Sequence, residues 1–169
     1  LKIRRCAHLF TALATVLVLA SCSGSDADDR RVTEGRDWHW DKEAGAAEAS
    51  AFMNVAVPKG ATQSKGAVRI NPQEDIYLLS FVTSEKNAES IAEDLHSEEP
   101  LKDKTKDFAP EGERFGHLGL TEPQTLKGAR WTGVCPPCVK DDRRKKVQWI
   151  DLYVQTLNAE QARVYLQAF

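Results

Sequence analysis

Two runs of β-branched and aromatic residues constrain this chain more than anything else in it. Asp75 to Thr83 (DIYLLSFVT) and Val147 to Gln155 (VQWIDLYVQ) are apolar, strand-length and bounded by polar segments, which predicts two sheet strands. Each has a partner upstream. Gly66 to Ile70 precedes the first run across a turn at Asn71-Pro72-Gln73-Glu74, and Leu126 to Val134 precedes the second across a loop that holds Cys135 and Cys138. Arg114 to Leu120 is a further extended candidate.

Helical spacing follows each run. Behind Thr83 and Ser84, either of which suits an N-cap, Ala88, Ile91, Ala92 and Leu95 recur at i, i+3, i+4 and i+7 and predict a helix with one buried face. His96 falls at its end, where a cation suits the terminal carbonyls. Asn158-Ala-Glu-Gln161 has the form of a capping box, and Ala162, Tyr165, Leu166 and Phe169 beyond it predict a second helix. An alanine-rich stretch, AAEASAF, before Met53 is a shorter helical candidate. The units Ile76 to Leu95 and Val147 to Leu166 align without gaps, pairing Leu79 with Ile150, Phe81 with Leu152, Asn87 with Asn158 and Leu95 with Leu166. That suggests a β-β-α pseudo-repeat, although core spacing alone generates most of these matches. The expectation is an α+β domain over residues 46–169, an antiparallel sheet of four or five strands with two helices on one face.

The first 21 residues have another character. Lys2, Arg4 and Arg5 form a positive start, an apolar stretch runs from Ala7 to Ala20, and small residues follow, which is the pattern of an export signal. The apolar stretch is shorter than the roughly 20 residues a membrane-spanning helix needs. Leu19-Ala20-Ser21-Cys22 resembles the lipobox of bacterial lipoproteins at all four positions. The resemblance implies that diacylglycerol is attached to the Cys22 thiol and that the leader is cut before it, leaving the protein on the outer side of the cell membrane. Two acyl chains hold firmly where one holds marginally. Residues 22–45 are charged and poor in aliphatics and read as a flexible tether. The exception is Trp38-His39-Trp40, which either folds back onto the domain or dips into the lipid interface.

The whole chain carries a net charge of −2, and loss of the three basic leader residues makes the remainder more acidic. Nucleic acid is therefore not an expected partner, because phosphate binding needs concentrated positive charge. Cys135-Pro136-Pro137-Cys138 admits three readings. A redox centre needs the pair at the start of a helix. A zinc site needs two further ligands, and outside the leader only His39, His96 and His117 are at hand. A disulfide staple needs only the oxidising surroundings that export supplies. Lys140, Arg143, Arg144, Lys145 and Lys146 beyond it read as a solvated hairpin tip, or as a contact for anionic lipid.

Within the second run, Trp149 and Tyr153 fall on one face and Ile150, Leu152 and Val154 on the other. With Trp131 on the neighbouring strand, they make a candidate binding face for an extracellular protein, peptide or glycan. No nucleophile elbow, phosphate loop or nucleotide fingerprint is present, and no cofactor is expected. The segment Asp75 to Leu95 and the run Val134-Cys-Pro-Pro-Cys-Val139 are similar to those of uncharacterised lipoproteins of high-GC Gram-positive bacteria, a resemblance that implies no activity. The expected role is a lipid-anchored, non-catalytic binding or accessory protein, with thiol–disulfide exchange at Cys135 and Cys138 as the alternative.

Overall fold

A computed structural model describes residues 37–97, 99–104 and 112–169; the leader, Cys22 and most of the predicted tether lie outside these. The chain builds β1 (His39–Trp40), α1 (Ala46–Met53), β2 (Thr62–Ile70), β3 (Ile76–Ser84), α2 (Glu85–Asp94), β4 (Lys102–Asp103), β5 (Arg130–Val134), β6 (Ile150–Thr156) and β7 (Gln161–Ala168). The strands form one antiparallel sheet in the order β1-β2-β3-β7-β6-β5-β4. Two meanders, β1 to β3 and β4 to β7, meet at the pairing of β3 with β7, so the two most buried strands lie at the centre. The class is α+β as expected, but the described residues hold seven strands rather than four or five.

The helices form for separable reasons. The Ser84 hydroxyl accepts the Asn87 N–H at the start of α2, so Ser84 is the cap of the two candidates, and Thr83 accepts the Asn87 side-chain amide. Ala88, Ile91 and Leu95 are buried as their spacing predicted. Helix α1 ends at Asn54, whose φ of 47° is left-handed. It approaches β2 closely because position 66 is glycine: a Cβ there would lie 2.5 Å from the Ala46 Cα. Phe52 of α1 stacks on Tyr77 of β3 with ring centroids 3.6 Å apart. The buried sides of both helices join one cluster with Leu79 and Phe81 of β3, Ile150, Leu152 and Val154 of β6, and Ala162, Val164 and Leu166 of β7.

The predicted closing helix is instead strand β7. Ala162, Val164, Leu166 and Ala168 alternate with Arg163, Tyr165 and Gln167, and a central strand buried on both faces also satisfies helical spacing. Asn158 does accept local N–H groups, those of Glu160 and Gln161, but in a hairpin turn rather than a helix cap. The pseudo-repeat therefore fails at its third element, since Leu95 ends a helix and Leu166 sits within a strand. Arg114 to Leu120 is not extended either; Phe115–Leu118 is a 3₁₀ turn.

Arg144 corrects the reading of the basic loop as a solvated tip. Its side chain is fully buried. It donates to the carbonyls of Met53, Asn54 and Asp94 and to the carboxylates of Asp94 and Asp141. One guanidinium thus caps the carbonyl ends of both helices, where a cation is favoured.

Candidate functional site

The sheet face opposite the helices carries a second apolar cluster. Ile76 and Leu78 of β3, Tyr153 of β6 and Tyr165 of β7 meet Phe115 there, beneath a cover made by the chain from residue 112 to 126. Phe115 is fully buried and meets Tyr165 edge-on at 5.2 Å. The cover is fastened at several points. Glu122 accepts the Gly116 N–H at 2.8 Å, Lys65 donates to the Leu118 carbonyl at 2.7 Å, and Trp40 of β1 stacks on His117 at 4.0 Å. Trp40, in the stretch read as the end of the tether, is thus held by the folded unit, and Trp38 lies edge-on against it.

The cover leaves one end of this face open as a cleft of about 920 Å³. The β2–β3 turn, with Asn71 and Glu74, forms one wall, and Trp149, Asp151 and Tyr153 at the head of β6 form another. Gln167 and Phe169 border it from the end of β7, Arg114 and Gln124 from the cover, and Asp37 from the segment before β1. The turn is braced internally. The Asp75 carboxylate accepts the Asn71 N–H, and the Asn71 amide donates to the carbonyls of Arg69 and Glu74.

The three aromatic residues named from the sequence do come together, around a residue the sequence did not single out. The indole N–H groups of Trp131 and Trp149 both donate to the same oxygen of Asp151, each at 3.0 Å. Gly133, opposite Asp151 in the β5–β6 register, makes room for them: a Cβ there would lie 2.4 Å from the Trp149 ring. Trp131 pairs directly with Tyr153. Tyr153 is buried under the cover, whereas Trp131 and Trp149 are half-buried. The trio is therefore not a flat open platform. Trp149 and Tyr153 line the cleft, and Trp131 holds Asp151 from the side. Burial, and then the Asp151 charge, push the Tyr153 phenol well above its ordinary range, with Arg114 opposing.

Cys135 and Cys138 follow β5 directly, with their sulfurs at bonding distance and Cα atoms 5.2 Å apart. Neither lines the cleft. The Cys138 and Val139 N–H groups donate to the Cys135 carbonyl, and the Asp141 N–H donates to that of Pro136. The turn then leads into the 3₁₀ segment Asp142–Arg144 rather than an α-helix. Among the described residues, no group of His, Cys, Asp and Glu is placed to hold a metal ion, and no helix is long and apolar enough to cross a membrane.

Asp37, Arg114, Gln124, Asp151 and Gln167 are among the site residues that sequence reasoning passed over. Asp151 alone had a signal, as an acidic residue two positions after Trp149 on a strand whose alternate residues are apolar. No family model matches the chain, and no curated protein or solved structure matches it.

Proposed function

We propose that this chain is a bacterial lipoprotein, exported by its leader and held on the outer face of the cell membrane through acylated Cys22. Its folded part acts as a non-catalytic binding or accessory module, and the cleft beside Trp149 is its ligand site. One observation carries the second half of this reading: an open cleft of about 920 Å³ whose walls combine aromatic residues with polar groups. A volume of that size falls within the range of small-ligand sites. The walls are built from a braced turn and from strand ends, so the site exists before a ligand arrives. The partner is an extracellular protein, peptide or glycan, and it need present only one group to the cleft.

The disulfide is read as a staple. A redox centre of this spacing opens an α-helix whose N-terminus stabilises the thiolate, and this pair opens a turn and a 3₁₀ segment instead.

The test is calorimetric titration of the full-length protein in detergent with a panel of sugars, short peptides and amino-acid amides, repeated on Trp149→Ala. The reading expects at least one ligand whose binding is lost in the variant. Ligands that bind the variant as well as the wild type would overturn it.

A further inference from the structure

The donors of Trp149 and Asn71 are committed, to Asp151 and to the carbonyls of Arg69 and Glu74. Two side-chain amide oxygens on the lining are without a partner. Gln167 is only 5% exposed, and its side-chain oxygen has no partner; the side-chain oxygen of Gln124 also has none. A glutamine amide can be turned over, so these two alone do not fix the sign of what binds.

The charges fix it. Among the described residues, the lining holds the carboxylates of Asp37, Glu74 and Asp151 against the guanidinium of Arg114, which has Arg69 as a like-charged neighbour. A cleft with surplus negative charge and low-dielectric walls concentrates cations. Trp149, Tyr153 and Phe169 also border the space, and the quadrupole of an aromatic ring attracts a cation placed over its face.

Building on the cleft reading above, we infer that the bound group is an organic cation: a primary ammonium or guanidinium on a short apolar stem. The head satisfies Glu74 and the orphaned oxygen of Gln167, and the stem packs on the aromatic rings. A carboxylate-bearing ligand meets repulsion in the same place, and a neutral sugar gains nothing from the surplus charge. A basic peptide side chain and a free diamine share the required chemistry.

The experiment titrates full-length protein in detergent with Nα-acetyl-lysine amide, 1,5-diaminopentane, Nα-acetyl-glutamate amide and glucose. At least one of the two cations is expected to bind, and the stronger of them identifies the source as peptide or free amine. Binding should weaken with added salt and fall roughly tenfold in Glu74→Gln, the size of one charge-assisted hydrogen bond. Unchanged cation affinity in Glu74→Gln, tighter binding of the glutamate amide or glucose, or no binding by either cation overturns the inference. Cation binding that survives Trp149→Ala undiminished overturns the cleft reading itself, because the ligand then sits elsewhere.

Discussion

Replacing Arg144 by methionine keeps an apolar stem in place and removes the guanidinium. The carbonyls of Met53 and Asn54 at the end of α1 then lose their donor, and the Asp94 carbonyl at the end of α2 keeps only its bond from Arg143. Breaking a buried ion pair from one side costs about 3–5 kcal/mol. Arg143 still bonds both Asp94 and Asp141, so neither carboxylate is abandoned, and the lower end of that range applies. We expect a loss of about 3 kcal/mol, which for a folded unit of this size lowers Tm by about 10 °C. The assay is urea unfolding followed by tryptophan emission, reading a shifted midpoint at constant slope. Lys146→Met, an exposed neighbour, serves as the control and should stay within about 0.5 kcal/mol. A loss below about 1 kcal/mol for Arg144→Met, in line with the control, would refute the idea that this side chain ties the helices to the loop.

The same cluster predicts an acid limb of stability. The hydrogen bond from Arg143 leads the causes that bring the Asp141 carboxyl down to about 2. For Asp94, burial pushes up but bonds from Arg143 and Arg144 outweigh it, so its folded value is also depressed. The stabilisation is therefore present above the ordinary carboxylate range and lost as pH falls toward about 2. The urea midpoint should drop below about pH 4 more steeply in the wild type than in Asp94→Asn. Gly66→Ala drives a Cβ into the backbone of Ala46 and should cost about 2 kcal/mol, measured by thermal melting followed by circular dichroism. The double variant Cys135→Ser, Cys138→Ser should lose about 2 kcal/mol by chain-entropy reasoning, and the wild type should fail to reduce an insulin-like substrate.

What the sequence revealed depended on how many signals each element carried. Strand β3 and helix α2 were legible because alternation, a polar turn, a serine cap and a helical stripe agree within one segment. Strand β7 was not, because Ala162, Tyr165, Leu166 and Phe169 fit a helix as well as Ala162, Val164, Leu166 and Ala168 fit a strand. Only the pairing partners β3 and β6 decide between them. Strands β1 and β4 are two residues long and have no period to detect. The cover over the second face is held by Phe115, Leu118, Leu120 and Leu126 at irregular intervals, since it is made of 3₁₀ turns and loop.

The site shows the same division. Trp131, Trp149 and Tyr153 stood out by residue type. Asp151 became visible as their shared acceptor only when the register set β5 beside β6. Arg144 looked like its basic neighbours in sequence, and nothing but the packing of two helix ends sets it apart.

The proposed role begins with attachment to a membrane, and the mass of the mature protein tests that attachment most directly. Intact mass spectrometry of the chain extracted from the membrane fraction of a cell expressing it should give a polypeptide that starts at Cys22 and carries a diacylglyceryl adduct, absent from Cys22→Ala. A chain that retains residues 1–21, or one that leaves the cell with an unmodified Cys22, would contradict the account.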